Sequence, residues 1–250
     1  MDLLSQHIIA FMMVLTRVAA FVVVMPIFKR EMVPKSVKLG LIFALTLLWC
    51  NNYAVPVKSY NVATLTVMAI REGFLGAAIG FVLGLFLFPV QVAGSWISQE
   101  LGLSMASLAD PVTQQNSTVV SQVFMGVGTL LFLVMNLHHS LFIALGMTFE
   151  RIEFGAQIDR ERFGMIAVDT LATGHETGLT IAGPVGVLLF LGSVVLFMLN
   201  RASPQLNLFS IGLPLRLAGG FTALLILMPE TCLLIGRSLT GMVERLYSVL

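Results

Sequence analysis

The chain has 250 residues, of which 57% are hydrophobic and 11% charged, with a formal net charge of +1. A soluble domain carries about 25% charged residues, so the composition and a mean hydropathy of +0.94 exclude a soluble enzyme, a nucleic-acid binder and a disordered chain. What remains is a polytopic membrane-type chain, or one whose apolar surface is buried in a large assembly. Cys50 and Cys232 offer neither metal spacing nor a disulfide framework. The opening Met1-Asp2-Leu3-Leu4-Ser5-Gln6 lacks the basic region of a secretory signal, which predicts that the first apolar run belongs to the mature protein.

A helix crosses a bilayer in about 20 apolar residues. Six runs reach that length, roughly 8–28, 37–55, 62–97, 119–148, 178–199 and 211–235. Backbone polar groups in lipid must be satisfied within the segment, so each run is predicted to be helical. The third is too long for one ordinary span, and Pro89, Gly94 and the polar tail Ser95–Glu100 predict a kink there.

Taken in order, the connectors differ. The first, Lys29 to Lys38, is basic; the second has only Lys58; the third, Ser98 to Thr118, has neither Lys nor Arg. The fourth spans 149–177, where Phe163, Ile166, Ala167 and Leu171 predict a short helix lying along an interface. Alternating six spans puts five basic residues on one side and six on the other, with Arg17, Arg71 and Arg216 inside or beside runs. The positive-inside rule therefore assigns no orientation. Either the spans are miscounted or the chain is not a simple up-and-down bundle in lipid.

Arg17, Arg71 and Glu72 are the charges deepest in apolar runs. One such charge costs about 2.5–3.5 kcal/mol on insertion scales, so each needs a partner or water. Neighbouring Arg71 and Glu72 project about 100° apart; a pairing of Arg17 with Glu72 across two helices is the expected solution. Its functional reading is a proton or ion relay, and its structural reading, which we favour, is an ion pair holding helices together. Gly73, Gly76, Gly80 and Gly84 form a small-residue ridge, where another backbone can approach closely. His138 and His139 are adjacent and lack further ligands at metal spacing. Neither a nucleotide-binding loop nor a catalytic constellation is recognisable.

Within the third connector, Leu101, Leu103, Met105 and Leu108 alternate with small polar residues, and Asp110-Pro111 reads as a helix start. A connector of some 20 residues without a charged, solvated face is unusual. It is either a re-entrant loop packed on its own bundle or an apolar flap in a pore, since apolar constrictions seal by dewetting. The fifth connector places Ser203 and Pro204 at a helix start, and Gln205 and Asn207 need hydrogen-bond partners if buried.

That last segment carries a resemblance. Asn200-Arg201-Ala202-Ser203-Pro204-Gln205-Leu206-Asn207, followed by Phe209-Ser210-Ile211-Gly212-Leu213-Pro214, resembles the FliR family of type III secretion export-gate proteins, called SctT in virulence systems. Arg17 with Met25-Pro26 and Val33-Pro34, the segment Arg71 to Phe81, Gly102 through Asp110-Pro111, and Asn136 with His138 agree in order, so the likeness runs end to end.

The resemblance implies an all-α fold of hydrophobic helical hairpins with six or more long helices. Residues 1–177 would be a FliP-like part with a plug loop near 100–118, and 178–250 a FliQ-like hairpin. It implies a non-enzymatic, cofactor-free, pore-forming subunit of the flagellar export gate in the bacterial inner membrane, standing largely on the periplasmic side and passing unfolded substrates. Its partners would be FliP-type and FliQ-type subunits, an FlhB-type subunit, an FlhA-type ring and membrane lipid, with no nucleic acid. By position, the plug side chains would be Met105 and Leu108, flanked by Leu101 and Leu103; family members often place Phe there. The signature turn would comprise Pro204, Gln205, Asn207, Phe209 and Pro214. The alternative is a secondary transporter for a small solute using Arg17, Arg71 and Glu72. Such transporters usually show two related halves, and no internal repeat is visible.

Overall fold

A computed structural model describes residues 3–25, 28, 33–50, 61–103, 119–157, 160–202 and 208–249. Among them the regular structure is helical: α1 (Leu3–Val24), α2 (Lys35–Cys50), α3 (Val62–Gly84), α4 (Phe88–Glu100), α5 (Val119–Val134), α6 (Leu137–Arg151), α7 (Arg160–Ala202) and α8 (Leu208–Val249). The fold is all-α. Among the described residues four helical segments are long and apolar enough to cross a membrane, or five if α5 and α6 form one broken span.

Several sequence expectations shift. Of the second run, the described part is helix α2, 16 residues long, and residues 51–55 lie outside the described residues. The break in the third run lies at a 3₁₀ turn, Leu85–Leu87, and Pro89 falls in the first turn of α4. There its missing N–H costs nothing, because the first helical N–H groups lack intrahelical acceptors anyway. Gly94 does not bend α4; a Cβ there would come within 2.8 Å of Ser121 Cα and 3.0 Å of Phe124 Cβ, so it admits α5. The fourth run is two helices, separated at Met135–Asn136, with Asn136 in the left-handed region at φ 56°.

The expected short interfacial helix of 149–177 is also absent. Residues 160–202 instead form one helix of 43 residues with Pro184 inside it, about 65 Å at 1.5 Å per residue. An apolar window that starts at Phe163 continues the helical pattern without a stop signal, so the amphipathic start and the following span merge. The partner helix α8 has 42 residues and contains Pro214 and Pro229.

Two compact units interleave along the chain. One comprises Met1–Phe86, His138–Leu171 and Val243–Leu250; the other comprises Leu87–Leu137 and Ala172–Met242. In the first, α1 buries Ala10, Met13, Val14, Arg17, Val18, Phe21 and Val22, a stripe at spacings of three and four. It packs on α3 and α2. Helix α6 adds Leu141, Ala144, Leu145 and Phe149 to that core. In the second unit α4 packs on α5: Gly128 sits beneath Val90, whose Cγ1 lies 2.8 Å from where a Cβ would be.

Much apolar surface remains uncovered. Of the segment Val62–Glu100, 61% of the most apolar window is buried, against 22% for the windows in α7 and in α8. Val187, Leu188, Phe190, Leu191, Val195, Phe197 and Met198 of α7 are all exposed.

Candidate functional site

The stripe on α1 carries one charged residue into the first unit's core. Arg17 is 0% exposed and Glu72 2%. The α1–α3 seam explains how they meet. A Cβ on Gly76 would fall on the Arg17 carbonyl oxygen, and one on Gly80 would lie 2.7 Å from the Phe21 carbonyl oxygen, whereas Gly73 stands 3.4 Å from Thr16 Cγ2. The pairs 17/76 and 21/80 keep the same spacing along both helices, so α1 and α3 run in the same direction. Backbone contact at Gly76 brings Glu72, one turn earlier, within reach of Arg17. Gly84 ends α3.

Arg17 Nε donates to Glu72 Oε2 at 2.6 Å. Its Nη1 donates to the Thr148 carbonyl at 3.0 Å and more weakly to Thr148 Oγ1 at 3.4 Å; that hydroxyl donates in turn to the Leu145 carbonyl. The guanidinium carbon lies 4.3 Å from the centroid of Phe149 and 5.4 Å from that of Phe154, close enough for attraction to the ring faces. Trp49 backs Phe149 at 5.5 Å. Nη2 is buried and makes no hydrogen bond among the described residues.

The other Glu72 oxygen, Oε1, accepts the Gly155 N–H at 2.8 Å, and the Gly155 carbonyl accepts Arg71 Nη1 at 2.9 Å. Arg71 is thus held by a backbone carbonyl and does not ion-pair with Glu72. Both charges of the adjacent 71–72 pair reach the same residue, Glu72 through the Gly155 N–H and Arg71 through the Gly155 carbonyl. Gly155 has φ 74°, a conformation open mainly to glycine. The sequence reading passed over this residue, although a lone glycine after Phe154 in a short connector was a usable signal.

Arg17 therefore joins α1, α3, α6 and the 152–157 turn. A relay needs a group that takes up and releases protons, and a guanidinium does not release its proton in a protein. Glu72 has both oxygens engaged by fixed donors. This arrangement suits a lock.

The second unit holds a pair that sequence alone did not suggest. Arg216 Nη2 of α8 donates to Glu100 Oε2, the last residue of α4, at 3.0 Å; the two side chains are 31% and 33% exposed. Next to it Leu101 is fully buried, against Leu189 and Gly220, and Leu103 is partly buried. Met105 and Leu108 lie outside the described residues, as do Pro204, Gln205 and Asn207. The Phe209 side chain is likewise not described, and Pro214 is exposed within α8.

A helical chain with membrane-length apolar helices, a buried ion pair in its core, and two long helices left mostly uncovered defines a membrane protein of the all-α class. Its relatives narrow the class. Residues 8–242 match the family described as bacterial export proteins, family 1, and the chain belongs to that family. It is 33% identical over 218 residues to the flagellar biosynthetic protein FliR of Escherichia coli, covering 86% of this chain and 82% of that protein. It is also 28% identical over 222 residues to FliR of Bacillus subtilis (88% and 86% covered) and 27% identical over 230 residues to FliR of Aquifex aeolicus (90% and 87% covered). This is the family to which the segment from Asn200 to Pro214 pointed.

Proposed function

We propose that the chain is a structural, pore-forming subunit of a flagellar type III export gate in the bacterial inner membrane, through which unfolded substrates pass. One observation carries this reading: α7 and α8 are each about twice the length needed to cross the roughly 30 Å bilayer core, and their apolar windows are only 22% buried. On α7 the exposed apolar residues run from Met165 to Met198, about 50 Å at 1.5 Å per residue, more than lipid alone would cover, so protein neighbours would cover the rest. Those neighbours would be FliP-type and FliQ-type subunits, with an FlhB-type subunit and an FlhA-type ring at the entrance and lipid around part of the surface. Such an assembly would stand partly on the periplasmic side. The division into a FliP-like part, 1–177, and a FliQ-like hairpin, 178–250, belongs to the same proposal.

In this reading the subunit catalyses nothing. The Arg17–Glu72 junction holds its helices, and the connector after α4 seals the pore, with Met105 and Leu108 as the sealing side chains. Methionine suits such a seal because its flexible thioether packs against varied shapes. The transporter reading is not favoured, because Arg17 and Glu72 pair with each other and Arg71 donates to the Gly155 carbonyl.

Expression with and without FliP-type and FliQ-type subunits tests the assignment: the chain should be recovered in a defined oligomer only with them, and a stable lone monomer in detergent would sink it. Deleting residues 104–109, which leaves Leu101 and Leu103 in place, should keep the oligomer intact and make the membrane conduct ions. An intact, tight membrane with normal export in that strain would refute the plug.

A further inference from the structure

Helix α8 holds an acid that neither ion pair described above uses. Its apolar window runs from Pro214 to Glu244, 31 residues, so Pro229 is the midpoint and Glu230 the next residue. At 1.5 Å per residue Glu230 stands roughly 21 Å from one end and 24 Å from the other. A carboxylate that deep in an apolar helix is costly unless it meets a partner or water. Its own helix supplies neither. Side chains meet along a helix at spacings of three and four, and around Glu230 those positions hold Ile226, Leu227, Leu233 and Leu234. Among the described residues Glu230 makes no hydrogen bond and no ion pair.

The face that carries it is uncovered. Ile226, Glu230, Leu233 and Arg237 follow one another at helical spacing and so share one side of α8. Ile226 is 71% exposed and Leu233 56%, and both charged residues are exposed. The buried side of α8 is the opposite one, formed by Leu224, Thr231, Ile235 and Leu239. Arg237 lies only seven residues from the window's end, and its long stem can carry the guanidinium towards water. Glu230, deeper and shorter, has no such route.

A second acceptor adjoins it. Pro229 has no N–H, so the Leu225 carbonyl lacks its regular helical donor. In apolar surroundings a freed carbonyl is satisfied by a hydroxyl, by water or by a neighbouring helix. The nearby hydroxyls are engaged elsewhere: Thr222 donates to the Ala218 carbonyl and Thr231 to the Leu227 carbonyl. Leu225 is 79% exposed and Pro229 is exposed too, so this carbonyl opens on the uncovered side. An ionised carboxylate and a free carbonyl both accept and cannot donate. What answers them is a donor, and the charge calls for a cationic one.

We infer that Glu230 is a docking point for a neighbouring subunit, and that the helix seated there is apolar with one basic side chain, Arg or Lys, facing Glu230 between contacts to Ile226 and Leu233. The inference rests on reading the chain as a subunit of an export assembly. It goes further by naming the residue that selects a neighbour and the charge that neighbour carries.

The test uses the whole assembly, purified with its FliP-type and FliQ-type subunits. Glu230→Lys should lower the yield of assembly at least tenfold while the amount of chain in membranes stays within about twofold, because the position faces outward. p-Benzoylphenylalanine in place of Ile226 or Leu233 should cross-link to a helix of another chain with Lys or Arg within one turn of the linked residue. Changing that basic residue to Glu should then rescue Glu230→Lys to within about threefold of wild type. Full yield of assembly with Glu230→Lys or Glu230→Leu overturns the inference, as does a charge swap that fails to rescue. So does rapid labelling of Glu230→Cys, in a Cys50→Ser, Cys232→Ser background, by a membrane-impermeant maleimide in the intact assembly, which would place this face in water. A wild-type chain that is stable alone and never joins the other subunits removes the broader reading; a wild-type assembly that forms and ignores Glu230→Lys removes only this one.

Discussion

Replacing Glu72 by Ala should damage the protein more than replacing Arg17, although both break the same pair. Without Glu72, a guanidinium that is 0% exposed keeps its charge, with the Thr148 carbonyl and hydroxyl and the faces of Phe149 and Phe154 to answer it. The Gly155 N–H also loses its acceptor. Breaking a buried pair from one side costs about 3–5 kcal/mol, and a buried donor left bare about 1–3 kcal/mol. We expect Glu72→Ala near the top of the first range, a drop of roughly 10³-fold or more in the folded ratio at 1.4 kcal/mol per tenfold. Without Arg17, by contrast, Glu72 still accepts the Gly155 N–H and no buried donor is bared there, so Arg17→Ala should cost about 1 kcal/mol less. The double variant Arg17→Met, Glu72→Leu removes both charges and refills the volume, and should lie within about 2 kcal/mol of wild type. Thermal melting of the purified complex, with the amount of chain retained in membranes, compares the four proteins. The reasoning fails if either single variant costs under 1 kcal/mol, as a surface pair would, or if the double variant costs the sum of the two.

Three further outcomes follow from the same geometry. Gly76→Ala should destabilise by about 1–3 kcal/mol, because its new Cβ meets the Arg17 backbone, which cannot swing aside; Gly73→Ala, in ordinary contact with a methyl group, should be neutral or stabilising by up to about 1 kcal/mol, and parallel melting curves compare them. Gly155→Ala should cost about 1–2 kcal/mol from its φ of 74° alone, read as a lower melting temperature and faster proteolysis at the 152–157 turn. Phe190→Lys or Val195→Lys, on the uncovered face of α7, should leave the Arg17 junction intact but reduce co-purification of partner subunits or membrane insertion; full yield of the assembled complex would show that this face meets water.

By itself the sequence determined a helical, membrane-type chain. Apolar runs of membrane length have few other ways to satisfy their backbones, and the segment Asn200 to Pro214 was specific enough to indicate the family. It also marked Arg17 and Glu72, since charges in apolar runs demand partners, and the glycine ridge that lets the two helices meet. Tertiary structure decided what lies on the other side of each feature. That the ridge meets α1 at Arg17 and Phe21, that Arg71 turns to the Gly155 carbonyl instead of to Glu72, and that Arg216 reaches Glu100 across 116 positions are distant contacts which local pattern does not encode. The runs themselves misled where helix continuity depends on the absence of a stop: 160–202 is one helix through Pro184, while 119–151 breaks at Asn136 with no proline at all. Periodicity reports which residues avoid water. Only packing reports which neighbours replace it, and for α7 and α8 most of those neighbours belong to other molecules in the function proposed above.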